Sequence, residues 1–174
     1  MKTHTIITYS IEELKEQFPE AYKKAISDNS DWNVMDDCWH ECITQEAEDL
    51  GFMLVEWDLD RHTIKLGKFT ETLETIAKKI VQDHGETCNT HKTASAFLKD
   101  LATLREKYPI EGENDPVYGG ELELMEVEFE RELALDYLAL LRQEYDYQTS
   151  EEAIFDSLLA NDCQFTEDGK MFRA

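Results

Sequence analysis

The sequence predicts a mainly α-helical fold of the α+β class, with one compact helical domain (residues 1–174) and one or two small β-hairpins. Apolar residues recur every three or four positions along most of the 174-residue chain, which places them on one side of a helix. Two or three short runs instead have the β-branched and aromatic composition of strands. With 41% hydrophobic residues, a chain of this length can form one core of ordinary size.

The first thirty residues predict two helices after a short β-prone run at residues 5–9. Ser10 and Glu13 have the spacing of a capping box, in which side chains satisfy the free amides at a helix start. Pro19 cannot continue that helix, but its fixed φ suits the first turn of the next one. A second helix is therefore predicted for residues 19–29.

A third helix is predicted for residues 31–50, with Gly51 as its left-handed terminator. Five apolar residues at spacings of three, four and their multiples predict one buried face. These five residues are Trp32, Met35, Trp39, Ile43 and Leu50.

The middle of the chain predicts a hairpin followed by two helices. Residues 52–57 and 63–66 are rich in β-branched and aromatic residues, and a short polar link joins them as in a hairpin. The apolar spacing after Thr70 predicts a helix that stops at Gly85, and a second helix is predicted for residues 93–108.

The last third of the chain predicts a surface loop at residues 111–120 and then a long helix over residues 121–147. Residues 121–129 also alternate like a strand, so periodicity alone leaves both structures open there. Helix is favoured because the three-or-four spacing persists to Tyr145. Thr149 and Glu152 predict the cap of a last helix, and a hairpin is predicted around Asp168-Gly169.

The charge of the chain excludes several classes of ligand. Thirty-nine acidic residues against seventeen Lys and Arg give a net charge of −22, which repels nucleic acids and anionic membranes. Residues 1–50 carry a net charge of −8, residues 51–110 carry none, and residues 111–174 carry −14. The division suggests acidic ends around a neutral scaffold.

The four cysteines, Cys38, Cys42, Cys88 and Cys163, predict reduced thiols packed as small hydrophobes. No apolar run reaches the roughly 18 residues that span a bilayer, and residues 1–10 lack the apolar region of a signal peptide. The expected location is therefore the cytoplasm.

No catalytic or metal site is predicted. His84, Cys88 and His91 have spacings that could face Zn²⁺, but no fourth ligand follows, so we interpret them as an ordinary turn with surface histidines. The sequence also has no nucleophile motif and no glycine-rich phosphate loop. We expect no enzyme activity, no cofactor and no bound metal.

Two C-terminal segments have a distinctive sequence: residues 144–150 read EYDYQTS and residues 160–170 read ANDCQFTEDGK. They resemble the signature of a family of small phage and integrative-element proteins, often labelled "antitoxin of toxin–antitoxin stability system", whose pattern is roughly EYEYLTSxEAI…ANEYEFTxDGK. The departures are Gln148, Cys163 and Gln164. Shorter similarities lie at residues 3–14, 57–69 and 84–98. The resemblance implies residence on a mobile element and no particular chemistry.

The acidic faces predict a partner that itself binds nucleic acid. Closely spaced carboxylates on a rigid helix can occupy a groove built for phosphates, aided by electrostatic steering. The chain is then similar in function to acidic anti-defence proteins that mimic DNA. It would block a host restriction enzyme or CRISPR effector without touching nucleic acid or membrane. The expected binding residues are Glu121, Glu123, Glu126, Glu128, Glu130 and Glu132, with Asp36, Asp37, Glu41, Glu48 and Asp49 in support.

An alternative is an antitoxin-like or adaptor protein that neutralises one protein partner through an apolar patch. Its surface would come from aromatic residues near the C-terminus rather than from charge. These residues are Tyr145, Tyr147, Phe155, Phe165 and Phe172.

Overall fold

A computed structural model describes residues 6–108 and 116–172, and these confirm a mainly α-helical fold with small hairpins. The helices are α1 (Ile11–Gln17), α2 (Pro19–Asp28), α3 (Glu41–Leu50), α4 (Leu73–Asp83), α5 (Asn89–Lys107), α6 (Pro116–Gln148) and α7 (Glu151–Ala160). The strands are β1 (Tyr9–Ser10), β2 (Met53–Asp58), β3 (Thr63–Gly67) and β4 (Gln164–Phe165). Two antiparallel pairs form, β1 with β4 and β2 with β3.

The chain divides into two compact units. The terminal unit comprises residues 1–40 and 143–174, and the central unit comprises residues 41–142. Six basic and sixteen acidic residues give the terminal unit a charge of −10, while eleven and twenty-three give the central unit −12. Residues 51–110, which carry no net charge, therefore belong to the same unit as the glutamate-rich part of α6. A single domain over residues 1–174 stays a prediction.

The core of the terminal unit lies among α1, α2, α7 and β4. Its fully buried side chains are large and apolar, and they are Ile11, Leu14, Ile154, Leu158 and Phe165. The predicted capping box of α1 is confirmed. The Glu13 amide donates to Ser10 Oγ at 3.2 Å, and the Ser10 amide donates to Glu13 Oε2 at 2.8 Å.

The predicted hairpin at residues 164–172 is confirmed as a tight turn beside β4. The Phe172 amide donates to the Gln164 carbonyl at 2.7 Å, and the Thr166 amide donates to the Lys170 carbonyl at 2.9 Å. Gly169 adopts φ 78°, a left-handed conformation that favours glycine. A Cβ atom there would press against the backbone of Ala21 in α2, so the turn packs closely on that helix.

The predicted third helix is wrong over its first ten residues. Residues Trp32–Val34 and Asp37–His40 form two short 3₁₀ turns, and the α-helix begins only at Glu41. The carboxylate of Asp36 accepts a hydrogen bond from the Cys38 amide at 3.1 Å, which offers the backbone an alternative to the helix. The expected apolar face fails too, since Met35 is 66% exposed and Leu50 alone of the five residues is buried.

The central unit begins with the predicted terminator and hairpin. Gly51, at φ 112°, ends α3, and the Phe52 amide donates to the Ala47 carbonyl at 3.0 Å, the long bond of a Schellman motif. The β2–β3 hairpin is confirmed, with a register shift between Leu54 and Glu56. Asp58 closes the turn, because its carboxylate accepts hydrogen bonds from the backbone amides of Asp60 and Arg61, at 3.0 and 2.9 Å.

Several predicted boundaries are corrected. α5 begins at Asn89 rather than at residue 93, and α6 begins at Pro116 rather than at Glu121, since proline is tolerated in the first turn. The predicted loop is therefore helical at residues 116–120, and its residues 111–115 lie outside the described part. Ser150 rather than Thr149 caps α7.

The residues that could be helix or strand, 121–129, are helix, and among their apolar residues Phe129 is buried while Leu122 and Met125 are half-buried. The interpretation of the cysteines as buried is wrong for three of the four. Cys38, Cys42 and Cys88 are exposed, and no disulfide joins any of the four cysteines.

An ion-pair cluster joins α4 to α5 in the central unit. Both oxygens of Glu74 accept bonds from the Arg105 guanidinium, at 2.7 and 3.0 Å, and Lys78 donates to the same carboxylate at 2.7 Å. These bonds lower the pKa of Glu74 to about 2. The carboxylate is only 26% exposed, so solvent screens it less than an open surface pair.

The substitution Glu74→Gln is expected to lower the free energy of unfolding by about 1 kcal/mol at pH 7, because the charge-assisted bonds are lost. A lowered native pKa stabilises the fold above the unfolded value near 4.3, and this gain disappears as pH falls to about 2. Urea unfolding at several pH values checks this. The wild-type and variant stabilities should converge at acid pH, and a difference that persists at pH 2 would contradict the assignment. The exposed Glu20, paired with Lys23 at 2.9 Å, provides a control in Glu20→Gln.

Candidate protein-binding surface

The glutamate-rich part of α6 packs antiparallel to α5. Three contacts fix this arrangement, because residues later in α6 meet residues earlier in α5. Lys107 pairs with Glu121 at 2.7 Å, and Thr93 Oγ1 donates to Asp136 Oδ2 at 2.7 Å. Between these two contacts, the rings of Phe97 and Phe129 stack with centroids 4.3 Å apart.

The six predicted glutamates of α6 do not share one face of the helix. At about 100° per residue, they fall into two rows on roughly opposite sides of the helix. We name them the α5-side row (Glu121, Glu128 and Glu132) and the far row (Glu123, Glu126 and Glu130). Two sides of the helix remain between the rows. One of them is buried and bears Phe129 and Leu133.

All three carboxylates of the α5-side row are ion-paired. Glu121 pairs with Lys107, while Arg131 contacts both Glu128 and Glu132, at 2.6 Å each. Lys107 and Arg131 lower the pKa of Glu121 and Glu128, respectively.

The far row carries the unneutralised charge of the helix. Glu123 is exposed and Glu126 and Glu130 are half-buried. Among residues 6–108 and 116–172, no Lys, Arg or His lies within ion-pair distance of these three carboxylates. They are consequently free to pair with a partner's cations.

The outward side of α6 is apolar rather than acidic. Leu124 is 72% exposed, Val127 59% and Leu135 44%. With Arg131 they form one ridge between the two glutamate rows, which we name the outer ridge. The outer ridge was not predicted from the sequence. The signal for it was the strand-like alternation of residues 121–129, because apolar residues at every second position of a helix point to several of its sides.

Grooves flank the outer ridge on both sides. The α5–α6 groove has a volume of about 570 Å³ and lies over the Phe97–Phe129 stack. The second groove, of about 590 Å³, lies between β3 and α6 and includes Glu130 of the far row. The ridge therefore stands between two depressions that a partner could fill.

The supporting acidic residues fall into both units. Asp36 and Asp37 belong to the terminal unit, where Asp37 lies 3.7 Å from His40. The remaining three belong to the central unit as part of α3, and they are Glu41, Glu48 and Asp49. All five side chains are exposed, as a charged docking surface requires.

The predicted aromatic patch is largely internal. Phe165 is fully buried, and Phe155 packs against the core under the Lys15 ammonium, which lies 4.7 Å from its ring. Tyr145 contacts Trp39 edge-on at 5.6 Å and is half-buried, as is Phe172. Tyr147 is the one exposed member of the five. Of the five, one is therefore exposed, three are half-buried and one is buried.

The residues considered for zinc take other partners. His84 Nδ1 lies 2.7 Å from Thr90 Oγ1, its Nε2 lies 3.5 Å from Glu46 Oε1, and His91 Nδ1 lies 3.4 Å from Ser95 Oγ. Across the part of the chain that the structure describes, no three His, Cys, Asp or Glu side chains are grouped to hold a metal.

Glu46 also ties α3 to the core of the central unit. It accepts a hydrogen bond from the buried Tyr137 hydroxyl at 3.0 Å. Burial and the neighbouring Glu46 raise the pKa of that phenol. The hydroxyl is therefore a permanent donor, and the contact positions α3, which bears three of the supporting carboxylates.

Comparison with known proteins adds no relative. No family model, no curated protein and no solved structure matches the chain. The resemblance to mobile-element proteins therefore stays a prediction. Among the described residues, none of the helices combines the length and apolarity needed to cross a membrane.

Proposed function

We propose that the chain is a non-enzymatic inhibitor carried by a phage or mobile element. It acts in the cytoplasm of a bacterial host and blocks a defence nuclease, either a restriction enzyme or a CRISPR effector. Its carboxylates occupy the basic groove in which that nuclease binds nucleic acid. The observation that carries the proposal is the spacing of charge along α6.

Six glutamates and one arginine lie between Glu121 and Glu132, a net charge of −5. Eleven residue steps span about 16 Å of helix axis, so the net charge recurs about every 3 Å. One strand of a DNA duplex carries a charge about every 3.4 Å. The charge density along this part of α6 is thus close to that of a single DNA strand.

The two rows add a second similarity to DNA. They run along opposite sides of a helix whose diameter with side chains is about 10–12 Å. The major groove of a duplex, bounded by two phosphate strands, is about 12 Å wide. A groove lined with Lys and Arg to grip two strands could therefore contact both rows at once, with the far row supplying unpaired charges.

Affinity capture tests the proposal. The full-length chain is immobilised, exposed to bacterial cell extract, and eluted with a gradient of sodium chloride before mass spectrometry. We expect a nucleic-acid-binding protein that leaves the column at moderate salt, because screening weakens exposed charge pairs. The purified partner should then lose nuclease activity when the chain is added at equal concentration. A partner that resists 1 M salt and keeps its activity would contradict the proposal.

A further inference from the structure

We propose that the α5–α6 groove binds a basic amphipathic helix of the protein partner, with an apolar side chain seated on the Phe97–Phe129 stack. This inference deepens the proposed function. It rests on the proposed function in one respect, which is that the partner protein is the same in both. The proposed function requires only the carboxylates of α6, whereas this inference adds an apolar contact in the groove between α5 and α6. The groove lies wholly within the central unit.

The floor of the groove is apolar and preformed. Phe97 and Phe129 are both buried and stack almost parallel, with 14° between their ring planes. Ala96 on α5 and Met125 on α6 flank them, and Leu124 stands at the outer edge with 72% of its surface exposed. An exposed leucine beside an aromatic floor gains hydrophobic free energy when a partner covers it.

The rim of the groove is acidic. Asp100 on α5 and Glu128 and Glu132 on α6 face it together with Lys92, and Arg131 pairs with both glutamates, so three carboxylates stand against two cations. Asp136 lies at its end, where burial raises the pKa of the carboxyl and the bond from Thr93 opposes that rise. An occupant with lysines or arginines beside its apolar residues would complement this rim.

A second copy of the chain fits poorly. Pairing this face with itself would bring the glutamate rows of two central units together, each unit carrying −12. Like charges held in register oppose association. The groove therefore favours a partner of opposite charge over self-association.

The dimensions suit a helix. Leu124 and Glu132 are eight residues apart, so the groove runs about 12 Å along α6, or roughly two helical turns. A helix laid along it would present anchors at positions i, i+3 or i+4, and i+7, as in other helix-in-groove complexes. Helices ordinarily pack in this way, because the side-chain ridges of one helix fit into grooves on its neighbours.

The test uses a synthetic 18-residue peptide of leucine and lysine, patterned as an amphipathic helix, with a scrambled peptide of equal composition as its control. Binding to the full chain is measured by fluorescence anisotropy and by the methyl NMR signals of its methionines. We expect the patterned peptide to shift the Met125 signal and leave that of Met35, in the terminal unit, unchanged. The scrambled peptide should bind at least tenfold more weakly.

Substitutions locate the site. Leu124→Ser keeps the net charge and should weaken binding of the patterned peptide about tenfold, through loss of one apolar contact. Glu128→Gln with Glu132→Gln should weaken it and reduce its salt dependence. Val55, exposed on β2 and outside both grooves, provides the matched control Val55→Ser, which should bind like the wild type.

The outcomes separate this inference from the proposed function. Equal binding of both peptides, no effect of Leu124→Ser, or a concentration-dependent dimer that hides Met125 would overturn the helix site while leaving DNA mimicry standing. Peptide binding as expected, together with a captured partner that DNA does not displace, would instead overturn the mimicry and leave the groove assigned.

Discussion

Replacing Glu123, Glu126 and Glu130 together by glutamine is expected to weaken binding to the proposed nuclease partner about 100-fold. Each far-row carboxylate lacks an ion pair within the described residues, so its full charge is available to a partner. Loss of about 1 kcal/mol for each contact adds to about 3 kcal/mol. Titration calorimetry at 100 mM salt measures the change.

The matched control removes the same charge elsewhere. Glu12, Glu16 and Glu152 are exposed residues of the terminal unit, and none belongs to the expected binding set. Their triple glutamine variant should bind within about threefold of the wild type, since charges outside the binding surface alter mainly steering. Equal losses in the two triple variants would show that net charge, rather than the far row, determines binding.

The substitution Gly169→Ala is expected to destabilise the terminal unit by about 2–4 kcal/mol. Alanine at φ 78° is strained, and its Cβ would meet the Ala21 carbonyl group, whose carbon would lie only 2.9 Å away. The turn would then have to leave α2 or distort. Thermal unfolding followed by circular dichroism measures this loss.

A glycine in open space provides the comparison. Gly120 lies in α6, and among the described residues a Cβ added there meets no atom within 4 Å apart from its chain neighbours and the adjacent helix backbone. Gly120→Ala is expected to stabilise the helix by about 0.5–1 kcal/mol, through higher helix propensity. A Gly169→Ala variant as stable as the wild type would mean that the turn does not pack on α2 as described.

Local signals in the sequence predicted many of the elements correctly. Ser10 and Glu13 cap a helix through contacts only three residues apart, and Gly51 ends one through its own φ. Such features depend on nearest neighbours, so a sequence alone contains them. The helical spacing of Phe129, Leu133 and Tyr137 likewise predicted the buried side of α6.

The incorrect start of the third helix has a local cause. Hydrogen bonds from side chains to the backbone compete with those of a helix, and the spacing of apolar residues does not reveal this competition. Trp32, Met35 and Trp39 have helical spacing, yet the carboxylate of Asp36 bonds to the backbone and 3₁₀ turns replace the helix. Equally, the pairing of β1 with β4 joins residues some 155 positions apart, and no local pattern encodes it.

The candidate surface was predicted in composition but not in arrangement. The six glutamates of α6 are correctly placed on one helix, but their division into rows depends on which side of that helix packs inward. The position of the outer ridge depends on the same inward-facing side, since Leu124 and Val127 lie on the opposite side of the helix and are exposed. Sequence patterns count such residues as hydrophobic and therefore as interior.

The most direct measurement is competition between the chain and DNA for the captured nuclease. A fluorescent 30-base-pair duplex is bound to the purified nuclease without divalent metal, and the chain is titrated in while anisotropy is recorded. We expect complete displacement of the duplex, with an apparent affinity that falls in proportion to the DNA concentration. Formation of a ternary complex, in which the chain binds while the duplex stays in place, would contradict DNA mimicry.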